Sequence, residues 1–195
     1  FDIRNQPAVK GACDLLHGKW EQVDVLVNNA GLAAGMSHFL EGSLSDWEQM
    51  IDTNIKGLLY ITRIIVPGMV SRQKGHIINI GSIAGKEAYE KGNVYVATKF
   101  GVDGLTQGMR IDLVDHGVKV TSIDPGAVET EFSLVRFKGD TDKADQVYDG
   151  YTPLYAEDIA EAILFAVTRP PHVNIDDMLI MPTAQGRSRK FNRNN

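Results

Sequence analysis

The sequence predicts an α/β fold built on a doubly wound parallel sheet. Short β-branched runs, such as Val23–Asn28 and His76–Ser82, alternate with segments long and periodic enough to be helices. The runs are rich in Val, Leu and Ile, the look of buried parallel strands. Polar or turn residues follow directly on three of them, at Asn28, Ser82 and Pro125. Ligands of such sheets bind beyond the carboxyl ends of the strands, so these three mark one edge as the candidate site.

The 195 residues are 43% apolar and 23% charged, which suits one soluble domain over 1–195 with a sizeable core. The net charge of −5 and the lack of a Lys/Arg cluster argue against a nucleic-acid surface. Cys13 is the lone cysteine, so nothing demands an oxidising compartment, and it reads as a small buried helix residue. The longest apolar stretch, 57–70, is interrupted by Thr62, Arg63 and Pro67; neither a membrane span nor a signal peptide is expected. The expected compartment is the cytoplasm, and no residue set suggests a metal.

In chain order, Phe1–Arg4 reads as the tail of a strand. Asn5 then caps a helix with Pro7 in its first turn and an apolar stripe through Val9, Ala12, Cys13, Leu15 and Leu16. The strand Val23–Asn28 ends in Asn28-Asn29-Ala30-Gly31. Ser45 with Glu48 reads as the capping box of a long helix that buries Trp47, Ile51, Leu58, Ile61 and Ile65, with Pro67 marking a kink or its last turns. After the strand His76–Ser82 comes a helix carrying Tyr95 and Lys99, stopped by His116-Gly117. The strand Lys119–Asp124 runs into Pro125-Gly126. Residues 131–151 are polar and weakly periodic, and read as a mobile lid. A helix from Ala156 to Thr168, a strand over 173–181 and a polar tail complete the chain.

Tyr95 and Lys99 stand at i and i+4, so they share a helix face. A tyrosine titrates near ~10, and a fixed cation beside it lowers that value towards a usable acid–base. These residues, with Asn28-Asn29-Ala30-Gly31, Asn54, Ser82 and Pro125-Gly126-x-x-x-Thr130, resemble the short-chain dehydrogenase/reductases over nearly the whole chain. The segments around Asn93–Tyr95, Thr130–Asp140 and His172–Ile175 resemble the branch that oxidises 3-hydroxy acids with NADP. Met178–Pro182 stands where the acyl-carrier-protein reductase branch usually carries a glycine-rich segment.

The resemblance implies a Rossmann-like oxidoreductase acting on a small hydroxy acid, alcohol or carbonyl, with NADP as cofactor and NAD possible. Tyr95 is then the general acid/base, Ser82 the partner of the substrate oxygen, Lys99 the group that lowers the tyrosine pKa and holds the nicotinamide ribose, and Asn54 the holder of a relay water. It implies cofactor contacts from Asp2, Asn28, Ala30, Gly31, Pro125, Gly126, Val128 and Thr130. Arg136 is a candidate for bidentate carboxylate recognition, with a surface salt bridge as the alternative. The family's glycine-rich phosphate turn has no counterpart here, so about fifty to sixty residues of two βαβ steps are expected to precede Phe1, and strand Val23–Asn28 is expected to expose an apolar edge. Gly101, Gly104 and Gly108 form a smooth helix face suited to a homo-oligomer, dimer or tetramer, or to internal packing. A broad carbonyl reductase and a non-catalytic nucleotide-binding regulator are the competing functions; the presence of both Tyr95 and Lys99 favours an enzyme.

Overall fold

The structure, a computed structural model, describes residues 1–194. Four parallel strands stand in the order β1 (Val25–Asn28), β2 (Gly75–Ile80), β3 (Val118–Pro125), β4 (Asp177–Ile180). Ile77 pairs with Val120, and Ile78 with Thr121. Side chains alternate across each strand, so this register separates two cores. On one face Ile77, Val118 and Val120 pack with Met69 of α3 (Leu58–Arg72) and with Met109 and Leu113 of α4 (Asn93–Leu113). On the other, Ile78 and Ile123 pack with Ile159, Ile163 and Ala166 of α7 (Ala156–Val167). Helices on both faces make the sheet doubly wound, as the strands rich in Val, Leu and Ile predict.

Local chemistry accounts for most element ends. Asn5 caps α1 (Gln6–Asp14), its Oδ1 accepting the Ala8 N–H at 3.1 Å, with Pro7 in the first turn. After α4 and a short 3₁₀ turn, Gly117 adopts φ +64°, the left-handed stop that glycine favours.

Several boundaries differ from the sequence reading. Residues 1–4 form a turn, not a strand, because the Asp2 carboxylate captures the Arg4 N–H and guanidinium while Asn5 N–H donates to Asp2 O. The cap of α2 (Leu44–Ile51) is Ser43, not Ser45; Ser43 Oγ accepts the Asp46 N–H and lies 2.8 Å from Ser45 Oγ. Ile51 is exposed rather than buried. Cys13 is only half-buried, and Leu15, which caps the end of α1 rather than continuing its apolar stripe, is 75% exposed. Between α2 and α3 the helix widens into a π segment, Asp52–Gly57. Residues 131–151 contain two capped helices, α5 (Glu131–Arg136) and α6 (Thr141–Asp145), started by Thr130 and Asp140. The tail folds into a small antiparallel hairpin, β5 (Gln185–Arg187) with β6 (Lys190–Phe191).

Strand β1 is the sheet edge, and Val25 and Val27 are 40% and 39% exposed on it. Among the described residues no helix is long and apolar enough to cross a membrane, and no group of three acidic, His or Cys side chains could hold a metal.

Candidate active site

Ser82 follows the end of β2 in extended conformation and caps a single 3₁₀ turn, Ile83–Gly85, its Oγ accepting the Ala84 N–H at 3.1 Å. A β-carbon at Gly85 would lie 2.8 Å from the Lys99 carbonyl oxygen. Glycine therefore lets this turn rest directly on the backbone of α4. That contact sets Ser82 beside the phenol of Tyr95, which is 7% exposed, while the Ser82 hydroxyl donates to Pro125 O at 3.5 Å. The ring of Phe132 leans on Tyr95 with centroids 5.6 Å apart.

Burial raises the Tyr95 pKa above its ordinary value, with Tyr89 adding to the rise; the Ser82 side chain and the Arg136 charge oppose it. Burial also draws Lys99 down to about 8, while the Asp124 charge holds it up. Lys99 Nζ donates to Ile80 O at 2.8 Å and lies 6.0 Å from the Tyr95 ring centroid. A second cation, Arg136 on α5, has its guanidinium 5.6 Å from the ring, and its charge also opposes the rise.

Arg136 is buried, not a surface residue. It donates to Tyr89 Oη at 3.1 Å and to Gly35 O at 3.3 Å, and among the described residues no carboxylate forms an ion pair with it. Asn54 sits in the π segment, fully enclosed. Its Oδ1 accepts the Leu32 N–H at 2.9 Å, and its amide donates to Leu32 O and to Thr98 Oγ1. The widened turn aims Asn54 at the loop after β1.

Two clefts meet at Ser82 and Tyr95. One, of about 760 Å³, is lined by Asn29, Gly31, Lys99, Pro125, Gly126, Val128 and Thr130, along α7. The other, of about 540 Å³, is lined by Tyr89, Phe132, Ser133, Arg136, Tyr148, Gln185 and Ser188. Asp2 and Ala30 line neither; Asp2 is held by Arg4. Asn28 turns inward instead, its amide donating to Thr62 Oγ1 and Asn79 Oδ1 in a buried bracket between β1, β2 and α3. Its neighbour Asn29 faces the cleft, which the tandem Asn-Asn could have signalled. Tyr89 and Gln185 carried no local signal; Gln185 reaches the site by accepting the Ala127 N–H at 2.8 Å.

The family profile described as short chain dehydrogenase matches residues 1–140. The chain belongs to the short-chain dehydrogenase family. It is 51% identical over 186 residues to the NADP-dependent 3-hydroxy acid dehydrogenase YdfG of Salmonella typhi, covering 95% of this chain and 75% of that protein. The NADP-dependent 3-hydroxy acid dehydrogenase of Schizosaccharomyces pombe is 44% identical, with 95% and 72% covered. The solved closed form of serine dehydrogenase complexed with NADP+ superposes with a TM-score of 0.95 at 49% identity, covering 96% of this chain and 76% of that one. As a short-chain dehydrogenase the protein is an oxidoreductase on a Rossmann-like sheet.

A nicotinamide dinucleotide fits the first cleft. Of the three N–H bonds of Lys99, one is committed to Ile80 O, and Gly31 leaves space beside Asn54, whose Oδ1 a β-carbon there would approach to 3.3 Å.

Proposed function

We propose that this short-chain dehydrogenase transfers hydride between NADP(H) and a small 3-hydroxy acid, with Tyr95 as the general acid/base. The observation that carries the reading is the meeting of two clefts at one phenol, Lys99 on one side and the unpaired guanidinium of Arg136 on the other. The names of the NADP-dependent relatives support the cofactor and the substrate class.

The bound nicotinamide supplies or accepts the hydride. Tyr95 gives its proton to the carbonyl oxygen during reduction, or takes one from the alcohol during oxidation. Ser82 Oγ hydrogen-bonds that same oxygen and holds it beside the phenol. Lys99 donates its free N–H bonds to ribose hydroxyls, and its charge favours the phenolate. Asn54 Oδ1 keeps one lone pair beyond the Leu32 bond, enough to hold a relay water. Asn29, Gly31, Pro125, Gly126, Val128 and Thr130 form the cofactor walls. Arg136 pairs the substrate carboxylate, which supplies the acid it lacks in the fold. The segment over α5 and α6 closes the substrate side as a lid. The protein works in the cytoplasm as a homo-oligomer on small molecules, with NAD as a weaker cofactor.

The test follows the absorbance of reduced cofactor with a panel of 3-hydroxy acids and neutral alcohols, using NADP and NAD separately. Hydroxy acids with NADP are expected to turn over fastest, and Tyr95→Phe to lose about 10²–10⁴-fold in kcat while still binding cofactor. Retained turnover by Tyr95→Phe overturns the assignment of the acid/base.

A further inference from the structure

We infer that Asp124 and Lys86 form a charged clamp that positions Ser82 and sets the field around Lys99. This inference rests on the reading of Ser82, Tyr95 and Lys99 as the reacting groups. Asp124 is the penultimate residue of β3 and only 1% exposed. Its Oδ1 accepts the Ser82 N–H at 3.0 Å and the Ser122 hydroxyl at 3.0 Å. Its Oδ2 has no hydrogen-bond partner and faces Lys86 Nζ at 3.4 Å. Lys86 in turn ion-pairs Asp103 of α4 at 2.6 Å and Asp177 of β4. The loop that carries the serine is thus held at both ends, by its first N–H at Ser82 and by its last side chain at Lys86. The fit is close, because a β-carbon on Gly81 would collide with Asp124 Oδ1.

A neutral amide could accept the same two hydrogen bonds without the cost of burying a charge. The charge itself therefore needs an explanation, and the neighbours provide one. Asp124 faces Lys86 and the Ser82 N–H from the serine loop, Lys99 from α4, Asp177 from β4 and the Ser122 hydroxyl, with Asp103 of α4 reached through Lys86. Three carboxylates against the single Lys86 ammonium leave an excess of negative charge. Burial and the Asp177 charge push Asp124 up to about 6, with Lys86 and Ser122 opposing. The same carboxylate is the charge that holds up the proton affinity of buried Lys99. Between about pH 6 and 8 the ionised Asp124 helps keep Lys99 an ammonium, the form that binds ribose hydroxyls and steadies a phenolate.

The variant that isolates the charge is Asp124→Asn, which retains an acceptor for Ser82. At saturating cofactor, the alkaline limb of its kcat profile is expected to move about one pH unit lower than wild type. Its melting temperature is expected to stay the same or rise. A coincident profile overturns the inference. Lys86→Met and Lys86→Arg provide a second reading that does not depend on Asp124→Asn folding. Loss of about tenfold in kcat for Met, with KM for cofactor unchanged and recovery in Arg, supports the clamp. Full activity in Lys86→Met overturns it. Tyr95→Phe is run alongside: if it is inactive and Asp124→Asn matches wild type, only the clamp falls, whereas an active Tyr95→Phe removes the site reading beneath it.

Discussion

Tyr95 and Lys99 share one face of α4, and burial works on both against their charged forms. For the lysine this has a defined sign. Unfolded, it would titrate at 10.5; folded, at about 8, so its burial costs stability at neutral pH, and that penalty lifts as pH rises from about 8 towards 10.5. A residue pair chosen by spacing was legible because i and i+4 fix a shared face whatever the tertiary context. The second cation beside the phenol was not legible, because Arg136 arrives from 41 positions along the chain. Its burial against Tyr89 and Tyr95 removes the surface salt bridge as an explanation. Arg136→Ala is expected to raise KM for hydroxy acids about 10–100-fold, the worth of a charge-assisted pair. Neutral alcohols are expected to keep their KM within about threefold. Equal losses on both substrate classes in steady-state kinetics would reduce Arg136 to a packing partner of the two tyrosines.

Elements set by local chemistry were legible, and those set by distant contacts were not. Asn5 with Pro7 and His116-Gly117 mark helix ends through the chain's own hydrogen bonds and dihedrals. Ser43 and Ser45 are equally good caps on paper, and packing of Trp47 over Gly42 and Phe39 favours the earlier one. The π segment over 52–57 has the composition of an ordinary helix, so the aim of Asn54 came only with the structure. The C-terminal hairpin depends on Gln185 meeting the Ala127 N–H and on Glu87 binding Arg187, contacts no local pattern encodes. The turn at 83–85 lies between these cases: its serine was legible, but its seat on α4 depends on Gly85. The Lys99 carbonyl below that glycine is backbone and cannot rotate aside. Gly85→Ala is therefore expected to cost about 1–3 kcal/mol. Calorimetry should show a melting temperature lower by about 3–10 °C, and turnover should fall as Ser82 is lifted from Tyr95. An unchanged melting temperature would mean that the turn has room the geometry does not show.

At the scale of the whole molecule, two surfaces expose apolar side chains. Strand β1 is the outermost strand of the described sheet, with Val25 and Val27 40% and 39% exposed on it. The outer face of α4 is of a different kind. Gly101 is explained within the chain, since a β-carbon there would lie 2.9 Å from Ile55 Cδ1. Gly104 and Gly108 meet nothing within 4 Å, yet each costs a helix roughly 1 kcal/mol relative to alanine. Phe100 and Ile111 flank them on the exposed side, 45% and 74% accessible. Glycines that no internal contact needs, set between exposed apolar side chains, fit the close approach of a helix from a second copy. Gly104→Arg with Gly108→Arg should improve the helix in isolation while blocking that approach. Light scattering is expected to show an oligomer for the parent protein and the 21.5 kDa monomer for the double variant. Association through the β1 edge would survive the substitutions and grow with concentration, so the mass of the double variant separates the two surfaces; a parent protein that scatters only as a monomer would end the case for the α4 face.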